Sequence, residues 1–174
     1  LESNLEELQK EKHILEALCV DYTSFYLCDL ANDTMETIKQ SVHSNWAEID
    51  GMTELKSGYT SRIRYYYDHY VIRESAPDFL QKMERHALIE YLRNHKRFAY
   101  RYQSVKNHAG HEYFELQVIR LETGNRDDYK IIMGFRYIDD IVQEDMKKKQ
   151  QMEETMADLK MNNAVSYTHL RAHE

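Results

Sequence analysis

Histidine can bind metal ions and haem iron, and nine histidines are spread through the 174 residues. Imidazole nitrogens bind zinc, and two pairs have a spacing that zinc sites use, His108 with His111 and His169 with His173. The first pair flanks a turn predicted below, where imidazoles are usually solvated. The second pair lies in a C-terminal segment that we interpret below as foreign to the protein. We therefore expect no metal site.

Single histidines on helices suggest a second chemistry, because one imidazole can serve as the axial ligand of a haem iron. Three histidines in the predicted helical middle of the chain have this placement: His69, His86 and His95. A single helical histidine is more commonly a solvated residue or a core residue. We therefore expect no haem and no other cofactor, and we leave open a small organic ligand.

Tyrosine is the other source of chemistry, with 14 residues that cluster at 65–67, at Tyr70, and at Tyr100 and Tyr102. A tyrosine ring packs in a core while its hydroxyl can face inward, so such residues can line a pocket for a small polar organic ligand. The alternative is half-buried packing with the hydroxyl in water. For a pocket, the candidates are Tyr26, Tyr67, Arg101, Tyr102 and Arg136. Strand alternation allows Arg136 to face either the helices or solvent.

Charge and composition argue against several partners. The formal net charge is -7, and the basic residues are scattered apart from Lys147 to Lys149, so no basic stripe is present for nucleic acid. One proline and five glycines leave no Gly-rich phosphate loop. No apolar run approaches the roughly 18 residues of a membrane helix. Cys19 and Cys28 form no Cys-x-x-Cys pair. We expect a cytoplasmic protein with no nucleic-acid partner and no membrane segment.

The length suits one domain with helical extensions. Residues 1–20 contain no glycine or proline, which predicts a first signalling helix. Leucines and a tyrosine recur in it every seven residues and indicate a dimerisation seam, at Leu1, Leu8, Leu15 and Tyr22. The alternative is an amphipathic helix that packs on its own domain through Leu5, Leu8, Leu15 and Leu18.

Residues 21–140 are predicted to form the domain itself. Two stretches rich in β-branched and aromatic residues, 24–30 and 34–40, flank the turn pair Asn32-Asp33 and predict a hairpin. Apolar spacings of three and four then predict helices over residues 44–95. The last of these helices should begin at a Ser75 cap and run through Leu92.

Three further strands and a long helix are predicted after this helical section. Period-two patterns over residues 97–105, 112–121 and 129–138 indicate an antiparallel meander. The helical period returns at Asp139 and predicts an exit signalling helix over residues 141–165. Its apolar stripe is interrupted by charged residues, so a coiled coil through it is weak: Ile138, Ile141, Met152, Met156 and Leu159, with Asp145 and Lys148 between them.

Three segments of the sequence resemble a known family. They are residues 15–22 (LEALCVDY), 70–79 (YVIRESAPDF) and 133–139 (MGFRYID). Together with the predicted order of elements, they resemble the PAS sensory domains of clostridial-type multidomain bacterial signalling proteins. The resemblance implies an α+β fold in which a five-stranded antiparallel sheet carries helices on one face, between N- and C-terminal signalling helices.

The resemblance also implies a function. Such modules regulate a histidine kinase or a diguanylate cyclase, and the sequence contains neither a phosphoacceptor box nor a Gly-Gly-Asp-Glu-Phe loop. We expect a non-enzymatic sensory module, homodimeric through its terminal helices and joined covalently to an output domain in the full-length protein. The signal should pass through the junction of the last strand and the exit helix, at Ile138, Asp139, Asp140 and Ile141. The light-sensing branch of the family uses a reactive cysteine in a helix, and neither cysteine here has that setting.

Two further interpretations complete the sequence analysis. Residues 166–174 (SYTHLRAHE) resemble translated sequencing-adaptor sequence, and we expect this segment to be non-native, to break the helical pattern and to be poorly ordered. The alternative function is a small α+β enzyme of the ketosteroid-isomerase-like cone type, with a buried Asp base and a Tyr donor. Such an enzyme needs no paired terminal helices.

Overall fold

The computed structural model describes residues 2–41, 44–50, 58–107 and 110–172. The chain divides into two compact units, Leu1–Tyr137 and Ile138–Glu174. The first unit contains α1 (Glu2–Leu18), β1 (Tyr22–Asp29), β2 (Thr34–Gln40), α2 (Trp46–Asp50), α3 (Tyr59–Tyr70), α4 (Phe79–Met83), α5 (Arg85–Asn94), β3 (Arg97–Gln103), β4 (Tyr113–Arg120) and β5 (Lys130–Tyr137). The second contains α6 (Asp139–Arg171). The expected α+β class with five antiparallel strands and a helix at each end is confirmed.

The first hairpin forms where the sequence predicts it. Asp33 adopts a left-handed conformation with φ 57°, which Asp and Asn tolerate better than most residues. The Asp29 carboxylate accepts hydrogen bonds from the backbone N–H groups of Ala31 and Asn32, each at 3.1 Å. These contacts close the turn, and β2 then spans the predicted residues 34–40.

The five strands form one antiparallel sheet in the order β2-β1-β5-β4-β3. β5 is the middle strand, with Leu27 of β1 opposite Ile132 on one side and Ile119 of β4 opposite Ile132 on the other. The pairing of β1 with β5 is irregular between Tyr22 and Ser24, and there the Thr23 hydroxyl donates to the Phe135 carbonyl at 3.0 Å. The N-terminal hairpin and the C-terminal meander therefore meet at β5.

Alternation along the strands gives the sheet two distinct faces. The face that we call the helical face packs against α2 to α5, and its buried side chains include Tyr26, Cys28, Tyr102, Phe114, Leu116, Val118, Ile131, Met133 and Phe135. Ring contacts join it to the helices, with centroids 5.5 Å apart for Tyr66 and Phe135 and for Phe79 and Tyr102. The other side, called here the opposite face, carries Glu115, Gly134 and Arg136.

Gly134 is required by the close approach of two aromatic rings on the opposite face. Tyr22 and Phe25 stack with centroids 4.7 Å apart. A Cβ atom on Gly134 would lie 2.8 Å from a ring carbon of Tyr22 and 2.9 Å from one of Phe25. Any larger residue would push these rings away, so the glycine allows the aromatic pair to lie on β5.

The long helix predicted from Ser75 to Leu92 is wrong, because the chain breaks at Glu84. Glu84 has an extended backbone (φ -60°, ψ 137°), and its carboxylate caps α5 by accepting the Ala87 N–H at 3.0 Å. On the other side of the break, the buried Tyr59 hydroxyl donates to the Met83 carbonyl at 2.8 Å. Hydrogen bonds thus stabilise both the C-terminal end of α4 and the N-terminal end of α5, and two short helices replace the single predicted helix.

Ser75 is also not the cap that the sequence predicts. It ends a short 3-10 turn, Arg73–Ser75, and its hydroxyl donates to the Ile72 carbonyl at 2.6 Å. The same oxygen accepts the Gln103 N–H at 2.9 Å, so Ser75 ties this turn to β3. Asp78 occupies the N-cap position of α4 and makes no side-chain capping bond. Its carboxylate instead accepts a hydrogen bond from the Tyr100 hydroxyl.

The N-terminal helix exposes its described apolar side chains. Leu5 and Leu8 are 59% and 62% exposed, so these two residues do not pack α1 on its own domain. Leu1 and the side chains of Leu15 and Leu18 lie outside the described part of the structure. The packing alternative is therefore wrong for Leu5 and Leu8, and the dimerisation seam stays a prediction.

The second unit is a single helix, α6, whose 33 residues extend well beyond the predicted end near Val165. Residues 166–171 are helical, so the expected break in the helical pattern at Ser166 is wrong; His173 and Glu174 lie outside the described residues. The non-native origin of residues 166–174 stays a prediction. Within the described ranges, no helix combines the length and apolar content needed to cross a bilayer.

Candidate functional site

A pair of buried tyrosines places two hydroxyl groups inside the aromatic core. Tyr66 of α3 and Tyr102 of β3 are 1% and 4% exposed, and their hydroxyl oxygens lie 2.6 Å apart. Burial raises the pKa of both hydroxyls, so both are neutral at physiological pH and one donates to the other. The pair is therefore a satisfied hydrogen bond inside the core.

Aromatic rings surround this pair. Trp46 of α2 stacks on Tyr66 with ring centroids 4.5 Å apart and an interplanar angle of 17°. Trp46 also contacts Tyr26, at 5.2 Å, and Phe135, at 4.9 Å. These buried rings fill the region between the sheet and the helices.

Tyr26 and Tyr67, two of the predicted pocket residues, have different environments. Tyr26 is fully buried and accepts a hydrogen bond from the Gln40 amide at 3.3 Å. Tyr67 is half-buried on α3, stacks on Phe79 with centroids 5.5 Å apart, and lies under the guanidinium of Arg73 at 5.6 Å. Tyr67 thus fits the alternative of half-buried packing.

A charged cluster on the opposite face holds the two predicted arginines. Glu115 of β4 is 4% exposed and accepts hydrogen bonds from Arg101 Nε at 2.8 Å and from Arg136 Nη2 at 2.6 Å. Gln117 Nε2 donates to the same carboxylate at 2.6 Å. Burial opposes ionisation of Glu115, but these hydrogen bonds and the arginine charges outweigh burial and lower its pKa. The cluster joins β3, β4 and β5.

The five predicted pocket residues therefore do not form one pocket. Tyr26 and Tyr102 lie on the helical face, whereas Arg101 and Arg136 lie on the opposite face with Glu115. The sequence allowed Arg136 to face either side of the sheet. Its register opposite Glu115 places it on the opposite face. Two partners were missed in the sequence. Tyr66 was hidden in a run of three tyrosines, and Glu115 is a single acid between Phe114 and Leu116.

The histidines that the structure describes lie at the surface or in local ring stacks. His69 and His95 are exposed, and each bonds the carbonyl four residues before it, that of Tyr65 at 3.0 Å and that of Tyr91 at 2.9 Å. His86 is exposed, and His111 stacks on Tyr137 with centroids 3.8 Å apart. His108 lies outside the described residues. In the ranges that are described, no group of three or more His, Cys, Asp and Glu could hold a metal ion.

The enzyme alternative needs a buried Asp base beside a tyrosine donor. Among the side chains that the structure describes, the buried carboxylate is Glu115, which lies on the face away from Tyr66 and Tyr102. The described core therefore places no acid–base pair of that kind together.

The predicted relay residues lie at the start of α6. Ile138 is buried and stands at the N-cap position, and Asp139 and Asp140 form the first turn. Two carboxylates at a helix N-terminus interact favourably with the helix dipole. Ile141 is 36% exposed. This junction is short, because β5 ends at Tyr137 and α6 begins at Asp139.

Comparison with models of known protein families and with curated proteins finds no match to this sequence.

Proposed function

We propose that the chain is a regulatory module of PAS type that transmits changes in its sheet through α6 to a following output domain. The observation that carries this proposal is the direct succession of β5 and α6, with one residue between them. β5 is the middle strand, hydrogen-bonded to β1 and to β4. A shift of either half of the sheet must therefore move β5 or break backbone hydrogen bonds.

The exposed apolar stripe of α6 supports the second half of the proposal. Met152, Met156 and Leu159 are 68%, 57% and 57% exposed. Met152 and Leu159 are seven residues apart and Met156 lies between them, which is the spacing of a coiled-coil seam. A second copy of α6 would cover these side chains, so the module acts as a homodimer.

Interruptions in this seam suit a switch. Asp145, seven residues before Met152, stands at a position that a stable seam would fill with an apolar residue, and Lys148 places a second charge in the apolar stripe beside the seam. A marginal helix pair can hold two arrangements, and a signal worth a few kcal/mol then changes their populations. The signal is a ligand or a rearrangement of the dimer, and the output domain is a histidine kinase or a diguanylate cyclase, as the resemblance implies.

Insertions into α6 of the full-length protein test this mechanism. Four residues inserted after Gln150 rotate the downstream helix by about 40°, whereas seven residues rotate it by only about 20° in the other direction. We expect the four-residue insertion to lock or abolish regulated output and the seven-residue insertion to preserve regulation. Melting curves check that both variants fold. Regulation that survives the four-residue insertion would show that the signal does not pass through a rigid helix.

A further inference from the structure

A cleft of about 620 Å³ lies where the end of α5, the start of β3 and the loop between β4 and β5 meet. Small-molecule sites have volumes of roughly 300–1,000 Å³, so this cleft has room for a small organic ligand. It is separate from the ring cluster around Trp46, and one of its lining residues, His95, is the histidine considered above as a candidate haem ligand. Its lining also includes Arg93, Lys96, Arg120, Glu122, Arg126 and Tyr129.

Positive charge dominates this cleft although the chain is acidic. Three arginines, one lysine and one glutamate line the cleft, so the side chains of its lining carry a net positive charge. The whole chain, in contrast, has a formal net charge of -7. Two of these cations are already paired, Lys96 with Glu122 and Arg93 with Glu90, both at 2.6 Å. In the part of the chain that the structure describes, Arg120 and Arg126 have no carboxylate at ion-pair distance. The cleft therefore contains two guanidinium groups that no described carboxylate contacts directly, although Glu122 is close enough for its charge to interact with that of Arg120.

Arg120 is held in place before any ligand arrives. Its Nη1 donates to the Leu92 carbonyl at 3.1 Å and its Nη2 to the Arg126 carbonyl at 2.9 Å. Its guanidinium carbon lies 4.4 Å from the centroid of the Tyr129 ring. A guanidinium has five N–H donors, so these contacts fix Arg120 and leave donors for a ligand. A fixed side chain loses less entropy on binding than a mobile one.

A structural role explains only part of this arrangement. By bonding the Leu92 carbonyl, Arg120 caps the C-terminal end of α5, where a cation is favourable. That role accounts for one hydrogen bond of Arg120. It does not account for a second cation, Arg126, in the same cleft or for the excess of basic side chains over the single carboxylate of Glu122.

We propose that this cleft binds a small organic anion through a carboxylate or phosphate group held by Arg120 and Arg126. Both groups match the planar donor fork of a guanidinium. The remaining volume of the cleft accommodates the organic part of the ligand. The proposal does not depend on the regulatory function proposed above.

Titration of the ¹⁵N-labelled full chain followed by NMR tests the site. Inorganic phosphate and succinate serve as separate probes, with sodium chloride at matched ionic strength as the reference. We expect saturable changes in the amide signals of residues 93–96 and 120–126. Arg126→Gln should weaken the apparent affinity at least about fivefold, because a charge-assisted contact is lost. Arg126 is exposed, so this variant should fold.

Two further variants complete the experiment. Arg120→Lys keeps the charge and loses the fork, and it should also weaken binding, whereas Arg64→Gln removes an exposed charge on α3 and should leave the affinity unchanged. Saturation with only one probe identifies the group that is bound. The proposal is wrong if neither probe saturates at about 20 mM, if chloride gives the same changes, or if Arg126→Gln binds like the unchanged chain.

Discussion

Glu115 is the residue at which the sheet depends most on charge. Its carboxylate is buried on the opposite face and bonded by Arg101, Gln117 and Arg136, so three neighbouring strands share one anion. Removing one partner of a buried ion pair usually costs more than the pair contributes, because the remaining charges stay desolvated. The stability of the sheet should therefore respond to this single group and to its protonation.

We expect Glu115→Gln to lower the free energy of unfolding by about 1–3 kcal/mol at neutral pH, measured by urea denaturation. Because the pKa of Glu115 is lowered in the folded state, the unfolded state binds the proton first as the pH falls. The stabilisation is complete above the unfolded pKa of about 4.3 and is lost as the pH drops through the folded pKa. The difference in free energy of unfolding between the unchanged chain and Glu115→Gln should thus become smaller in acid.

Glu90→Gln is the matched control, since Glu90 pairs with Arg93 at the surface and its loss should change stability little. The electrostatic explanation is contradicted if the difference in free energy of unfolding between Glu115→Gln and the unchanged chain stays constant from neutral pH to about pH 3.

Single-residue environments were only partly predictable from the sequence. In β5, alternation places Ile131, Met133 and Phe135 on one side, where all three are buried, and Arg136 on the other. The partner of Arg136 depends on strand order, because the neighbouring strand β4 brings Glu115 opposite it. A local pattern contains no information on such long-range pairing, so the five candidate residues were grouped across two faces.

At the scale of elements, local turn chemistry was predictable and the helix break was not. Asn32-Asp33 specified the first hairpin because the left-handed conformation of Asp33 is a property of the residue itself. The break between α4 and α5 has no Gly or Pro signal. It depends on the Tyr59 hydroxyl, which reaches Met83 from a different helix, and on the Glu84 cap. Tertiary contacts of this kind override a continuous helical pattern.

The apolar stripe of α6 allows a test with two methionines of one helix. Met156 lies in the proposed seam, whereas Met161 lies outside it, and both are exposed in the single chain, at 57% and 68%. Met156→Glu should weaken dimerisation on the order of tenfold or more, because a buried charge opposes pairing. Met161→Glu should leave dimerisation unchanged. Sedimentation equilibrium measures both, and equal effects would exclude this seam.

At the scale of the whole molecule, the last turns of α6 should be dispensable for stability. Tyr167 and Leu170 are 66% and 71% exposed, so residues 166–172 bury little apolar surface in the single chain. We expect deletion of residues 166–174 to leave Tm unchanged in differential scanning calorimetry. Deletion of nine residues that lowers Tm by several degrees would show that this segment contributes to folding after all.

The central position of β5 has a consequence for biosynthesis. Of the five strands, β5 is synthesised last, yet it lies between the two hairpins in the sheet. Its Arg136 pairs with Tyr22, which is more than 100 residues earlier in the chain. Until β5 emerges, the inner edges of β1 and β4 lack a partner, and isolated hairpins are marginally stable in water. The first hairpin must therefore wait with an unpaired edge while residues 41–129 are synthesised, and the second hairpin joins it in this state once β4 is complete. Long-range closure of this kind is slow, so this period is when chaperones have most to protect.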